Sequence, residues 1–121
     1  MLLPRIALLA GAALLQPSAQ AADVAAGKLA FGKCASCHQV GRYAQAGYGP
    51  QLNGIVGRPA AATEFKYSTA LKASRLVWTE QNLAAFLRSP DTLVPGNKMR
   101  FWGIRDEQQI ANLLAYLRTL P

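Results

Sequence analysis

Histidine and cysteine are scarce in this chain of 121 residues, which has one histidine and two cysteines. A structural zinc site built from these residues alone is excluded, because tetrahedral zinc needs four ligands. Acidic residues are also few, six against 13 lysines and arginines, which gives a net charge of +7. The basic residues are scattered singly, whereas nucleic-acid-binding segments carry them in runs or stripes. We therefore expect no nucleic-acid binding and an acidic protein as the electrostatic partner.

The chain also lacks an apolar run long enough to span a bilayer, which takes about 20 residues. Its longest run, IALLAGAALL, begins after Arg5 and is followed by Ala19-Gln20-Ala21, a small-x-small pattern. This order is typical of a signal peptide. We predict that residues 1–21 are cleaved and that residues 22–121 form the mature domain in the periplasm, the alternative being a buried N-terminal helix. Only Arg5 among the charged residues lies in this leader, so the mature chain keeps 12 basic and 6 acidic residues and a net charge of +6.

Alternation of apolar and polar residues, the mark of a half-buried strand, is found nowhere in the chain, and no internal repeat is present. Residues 40–62 contain five glycines and two prolines and are predicted to form a loop. So long a loop is unusual in a small domain unless it wraps a ligand. The sequence thus predicts an all-α domain, with helices where a capping residue precedes an apolar stripe, namely over 23–38, 67–74, 79–89 and 106–120.

Both cysteines and the histidine stand together in FGKCASCHQV, as Cys34, Cys37 and His38. A disulfide here closes a very short loop and stabilises little, a redox pair needs a βαβ unit that is absent, and zinc needs a carboxylate as fourth ligand. Covalent haem uses all three residues: the thiols add to the vinyl groups and His38 becomes the proximal iron ligand. We favour haem and keep the other three as alternatives.

A low-spin haem needs a second axial ligand, normally methionine or histidine. Once the leader is removed, one methionine remains, Met99, in the irregular stretch PGNKM. The alternative role of a lone methionine is to fill the core. Because the chain then has one histidine, one methionine and two cysteines, the minimum set for a six-coordinate c haem, we predict Met99 as the second ligand.

These motifs resemble those of class I c-type cytochromes. The similar stretches are GKLAFGKCASCHQV, YGPQLNGIVGR, VPGNKM and LLAYLRTL, within residues 23–120. The resemblance implies a cytochrome c fold, in which three to five helices and long loops wrap around one covalently bound haem c. It assigns the thioether bonds to Cys34 and Cys37, and the axial positions to His38 and Met99.

The resemblance also implies roles for five further residues. The carbonyl of Pro50 would accept the Nδ1–H of His38, which fixes the tautomer of the ligand. Arg58, Tyr67 and Trp78 would lie near the haem propionates, and Phe101 would pack beside the Met99 side of the haem. As alternatives, Tyr67 and Trp78 fill the core and Arg58 is solvated.

Three positions depart from the family pattern. Phe86 stands where close relatives have a tyrosine, Asn97 where a threonine is expected, and Leu71 where an asparagine often binds a buried water. These changes leave the ligands intact, and they affect the polar groups expected near the methionine sulfur.

The function implied is that of a monomeric one-electron carrier rather than an enzyme. Its partners would be acidic redox proteins such as a terminal oxidase, a reductase or a dehydrogenase, with membrane contact only through them. The basic residues expected around the exposed haem edge are Lys33, Arg88, Lys98 and Arg100. One alternative is a cytochrome subunit of a larger dehydrogenase, and another is a haem peroxidase or gas-binding protein with an open iron site.

Overall fold

The computed structural model describes residues 10–15 and 21–121, and within these ranges the chain is helical. Its elements in order are α1 (Val24–Ala30), a 3-10 helix (Phe31–Lys33), α2 (Thr69–Ser74), α3 (Glu80–Arg88), α4 (Pro90–Leu93) and α5 (Glu107–Leu117). The only strand-like pairing in these ranges is an isolated antiparallel bridge between Pro59 and Val77. The all-α prediction is confirmed.

Most of the predicted signal peptide, residues 1–9 and 16–20, lies outside the described residues. Residues 10–15 have no regular secondary structure, and Leu14 and Leu15 are exposed. No helix in the described part of the chain is both long and apolar enough to cross a membrane.

Three predicted helix caps are confirmed. The side chains of Asp23, Thr79 and Asp106 each accept hydrogen bonds from backbone N–H groups in the first turn of α1, α3 and α5. These bonds satisfy donors that have no partner inside the helix, which is why such residues begin helices.

One predicted helix end is wrong, and one short helix was not predicted. The first helix was expected to run to His38, but α1 ends at Ala30, and residues 34–38 form tight turns after the 3-10 segment. Pro90 was expected to stop the preceding helix, and α3 does end before it, at Arg88. The chain after this stop was expected to be irregular, but Pro90 begins the short helix α4. Proline suits that position because the first turn of a helix does not use its backbone N–H groups.

Helices α1 and α5 form the principal helix crossing, and Gly27 lies at their closest approach. A Cβ atom at Gly27 would lie 1.9 Å from the carbonyl oxygen of Asn112, so no side chain fits there. The rings of Phe31 and Tyr116 pack beside it with centroids 5.5 Å apart. The closest approach is to the backbone of Asn112 and to Cβ of Tyr116. The crossing fixes the start of the Cys34–His38 segment against the core.

Candidate haem-binding site

His38 is held by the loop that follows it. Its Nδ1–H donates a hydrogen bond to the carbonyl oxygen of Pro50 at 2.7 Å. Burial lowers the pKa of His38, the bond to Pro50 raises it, and the positive charge of Arg58 lowers it, with a net decrease. The imidazole is therefore neutral at neutral pH, and Nε2 is left as a free lone pair suited to a metal ion.

Gly49 packs directly against the imidazole and was not identified from the sequence. A Cβ atom at this position would lie 2.6 Å from Cε1 of His38 and 2.9 Å from Nδ1. The glycine therefore lets the backbone of residues 49–50 approach the ring closely enough for the Pro50 bond. The one signal in the sequence was that Gly49 directly precedes Pro50 in a glycine-rich loop. Nothing in the sequence showed which side chain this glycine would face.

Cys34 and Cys37 are free thiols on the turns that follow α1. The turn is closed by the backbone N–H of His38, which donates to the carbonyl of Cys34 at 2.9 Å. Burial raises the pKa of Cys34, an effect that Lys33 partly opposes and Cys37 reinforces. A thiol with a raised pKa is protonated at neutral pH. The redox-pair alternative lacks its βαβ unit, because the named elements of the described residues are all helices.

The zinc alternative also lacks support from the geometry. Within residues 10–15 and 21–121, no group of three or more histidine, cysteine, aspartate and glutamate side chains is arranged to hold a metal ion. The carboxylate that zinc would need as a fourth ligand is thus not supplied in this part of the chain.

Met99 lies in the irregular stretch between α4 and α5 and is half-buried. Its backbone N–H donates to Oδ1 of Asn97 at 2.8 Å. Nδ2 of Asn97 in turn donates to Oδ1 of Asp91 and to the carbonyl of Val94, at 3.0 and 2.9 Å. Asn97, noted above only as a departure from the family pattern, therefore ties the Met99 backbone to α4.

Arg58 is partly buried and extends along the loop of residues 51–58. Its two terminal nitrogens donate to the carbonyls of Asn53 and Gln51, each at 3.0 Å. Its Nε is buried and has no hydrogen-bond partner among the described residues. Burial also lowers the pKa of Arg58. A buried donor without a partner is costly, and an anionic group would satisfy it.

Trp78 and Tyr67 are both buried. The backbone N–H of Trp78 donates to the Arg58 carbonyl at 2.8 Å, which brings these two predicted residues together. The Tyr67 hydroxyl is bonded to the Thr63 hydroxyl at 2.5 Å. Its ring packs edge-on against Phe65. Both aromatic residues therefore also contribute to the core, as the alternative stated.

Phe101 packs on the core, and so do the two remaining positions that depart from the family pattern. Phe101, Phe86 and Leu71 are partly buried against it. The ring of Phe86 lies edge-on to Trp78, with centroids 5.0 Å apart. Phe86 therefore contributes an aromatic contact with Trp78 and no hydroxyl group at this position.

Three of the four basic residues predicted around a haem edge have polar partners within the protein. Lys33 donates to Gln109, Arg88 forms an ion pair with Glu107, and Lys98 donates to the carbonyl of Lys66. The fourth, Arg100, is exposed.

The donor set fits a covalent haem. Two free thiols and a neutral imidazole with a free Nε2 stand within five residues of chain. The unpartnered Nε of Arg58 matches a group that carries carboxylates.

The comparisons with known proteins agree with this geometry. The family model described as Cytochrome c matches residues 24–121. The chain is 46% identical over 99 residues to cytochrome c2 of Agrobacterium tumefaciens, covering 78% of this chain and 89% of that protein. It is 42% identical over 108 residues to cytochrome c2 of Blastochloris viridis, covering 88% and 84%.

A solved structure gives the same result for the fold. Cytochrome cH from Methylobacterium extorquens matches with a TM-score of 0.76 and 40% identity, over 80% of this chain and 98% of that one. The chain therefore belongs to the cytochrome c family, as a class I monohaem c-type cytochrome with one covalently attached haem c.

Proposed function

We propose that this cytochrome is an exported, monomeric carrier of single electrons between redox proteins in the periplasm. The observation that carries the proposal is the arrangement of His38, whose Nδ1–H is fixed by the Pro50 carbonyl while burial keeps the ring neutral. An axial ligand held in this way can stay bound in both oxidation states, so little reorganises when the charge changes.

The residues that hold the cofactor follow from the site. Cys34 and Cys37 would provide the thioether bonds, and His38 and Met99 the two axial ligands. The haem, when bound, supplies the one-electron ferric/ferrous couple. Methionine ligation favours the reduced state relative to a second histidine.

The surrounding residues would tune the site rather than form it. Pro50 orients His38, and the guanidinium of Arg58 with Tyr67 and Trp78 would stabilise the haem propionates. Phe101 would exclude water on the Met99 side. Burial supports these roles, since Arg58 is partly buried and Tyr67 and Trp78 are each less than a tenth exposed.

The proposed partners are acidic redox proteins, such as a terminal oxidase, a reductase or a dehydrogenase. The net charge of +6 on residues 22–121 supports this choice, since opposite charge speeds encounter and orients the two proteins. We propose residues 1–21 as the cleaved leader; the exposed Leu14 and Leu15 do not join the core.

The visible spectrum of the reduced protein, before and after addition of carbon monoxide, tests the ligand assignment. The expected result is a sharp low-spin c-type spectrum that the gas leaves unchanged, because Met99 occupies the sixth position. The Met99→Ala variant is the control and should bind carbon monoxide. Binding of the gas by the unmodified protein at neutral pH would contradict the carrier proposal and favour the peroxidase or gas-binding alternative.

A further inference from the structure

Trp102 is an exposed aromatic side chain three residues after the proposed iron ligand Met99. It is 91% exposed, whereas the other tryptophan, Trp78, is 6% exposed. Tryptophan is among the residues most enriched at the energetic centres of protein interfaces. A ring left almost wholly in water three residues after Met99 is therefore available to a partner.

The backbone that carries Trp102 is fixed on both sides. Phe101 and Ile104 pack against the core, and the backbone N–H of Ile104 donates to the Leu87 carbonyl at 2.7 Å. Gly103 has φ +105°, and a Cβ atom there would lie 2.1 Å from the carbonyl oxygen of Arg88, so only glycine fits this approach to α3. Because this segment is already ordered, it loses little conformational entropy when a partner binds the ring.

The charge beside the ring is positive. Arg100 and Arg105 are exposed, and neither forms an ion pair in the part of the chain that the structure describes. Of the two acidic residues that follow, Glu107 is paired with Arg88, and Asp106 accepts the N–H groups that begin α5. A surface with a rigid aromatic centre and free guanidinium groups fits an apolar pocket bordered by carboxylates.

We propose that Arg100, Trp102 and Arg105, the Trp102 surface, form the docking centre for the acidic redox protein, with the indole ring inserted into an apolar pocket of that partner. This inference rests on the proposed carrier function. Of the basic residues predicted around the haem edge, Arg88 is paired with Glu107, whereas Lys33 and Lys98 donate to neutral groups and keep their charge. The exposed indole ring adds to this charge an apolar contact that charge alone does not supply. The ring then supplies affinity that salt does not screen, and the arginines supply orientation.

The test uses the haem-loaded protein with a purified, detergent-solubilised haem–copper oxidase as probe. Binding to the immobilised oxidase and the KM and kcat of its turnover are measured for wild type and Trp102→Ala, each at low and high ionic strength. The Trp102→Phe variant keeps an aromatic ring. Leu29→Ala is the matched control, because Leu29 is an exposed apolar residue on α1.

We expect Trp102→Ala to weaken binding and raise KM about tenfold at both ionic strengths, with kcat, reduction potential and visible spectrum unchanged. Trp102→Phe should recover part of the affinity, and Leu29→Ala should resemble wild type. The effect of Arg100→Gln should shrink at high salt, because a charged contact is screened.

Equal binding of wild type and Trp102→Ala, in a wild type that the oxidase does oxidise, overturns this inference and leaves the carrier function standing. A wild type that the oxidase neither binds nor oxidises excludes the oxidase as partner and overturns this inference, whereas the carrier function is then decided by the carbon monoxide test. Two other outcomes would also remove this role from Trp102. In both, the substitution leaves binding to the oxidase unchanged and abolishes a different interaction, either binding to phosphatidylglycerol vesicles or self-association in analytical ultracentrifugation.

Discussion

The carbonyl oxygen of Pro50 lies 2.7 Å from Nδ1 of His38, twelve residues earlier in the chain. The bond joins the end of the C-x-x-C-H motif to the loop that wraps the site. It requires the backbone at Gly49 to pass against the face of the imidazole, since a Cβ atom there would be 2.6 Å from Cε1. The orientation of the proposed axial ligand therefore depends on a residue with no functional group.

Gly49→Ala should displace the His38 ring and weaken its bond to the iron. Overpacking of this kind costs about 1–3 kcal/mol of the free energy of unfolding. The expected result is a decrease of that size in denaturant titrations, with a changed low-spin spectrum. Gly47→Ala is the matched control in the same loop, because its Cβ would meet only ordinary contacts at 3.8 and 3.9 Å. Equal stability of the two variants would contradict the role given to Gly49.

Gly27→Ala should destabilise the crossing of α1 and α5. Alanine improves helix propensity by about 1 kcal/mol, but its Cβ would lie 1.9 Å from the Asn112 carbonyl oxygen, so the helices must separate. We expect a net loss of roughly 1–3 kcal/mol in unfolding free energy. Gly32→Ala, where a Cβ meets nothing within 4 Å, should leave stability nearly unchanged. A stabilised Gly27→Ala variant would show that propensity outweighs the contact.

Asn97→Ala should make Met99 easier to displace from the iron. The substitution removes the acceptor of the Met99 N–H and a bond to Asp91. One hydrogen bond is worth about 1 kcal/mol, or roughly a fivefold change in equilibrium. The affinity of the ferric protein for imidazole, measured by optical titration, should rise by about that factor. Asp91→Ala removes only one partner of Asn97 Nδ2 and leaves the acceptor of the Met99 N–H, so it should show a smaller increase. An unchanged affinity in both variants would show that Asn97 does not hold Met99 in place.

Arg58→Leu should lower both stability and reduction potential. The variant loses bonds to the carbonyls of Gln51 and Asn53, at a cost of about 1–3 kcal/mol. It also removes a positive charge that disfavours the ferric state, so the potential should fall by roughly tens of millivolts. Arg58→Lys keeps the charge without the forked geometry and should restore more of the potential than of the stability. Redox titration and denaturant unfolding measure the two effects separately.

The Arg88–Glu107 pair should give a small, pH-dependent contribution to stability. The hydrogen bond from Arg88 is the largest cause of the lowered pKa of Glu107. Because the folded-state pKa lies below the unfolded-state value near 4.5, the contribution is present above that pH and is lost as the pH falls through the lower, folded-state value. The difference in unfolding free energy between wild type and Glu107→Gln should therefore vanish in acid. The pair is exposed, so high salt should also reduce it; a difference independent of pH would point to packing instead.

Local patterns in the sequence were sufficient for the starts of α1, α3 and α5 and for the cofactor. Caps such as Asp23, Thr79 and Asp106 act on backbone groups two or three residues away, so their effect is visible in a short stretch. The C-x-x-C-H motif is equally local, since it places both thiols and the imidazole on consecutive turns. The lone methionine then pointed to Met99 by composition alone.

Contacts between distant segments were decided only by the tertiary structure. The sequence did not show that Gly49 faces His38, that Asn97 holds the Met99 backbone, or that Trp102 is exposed. Each of these depends on where two separate segments meet, which is set by the packing of the whole core and not by the neighbours of one residue. The end of α1 was also misjudged, since tight turns replace the helix at residues 34–38, and the short helix α4 was not predicted.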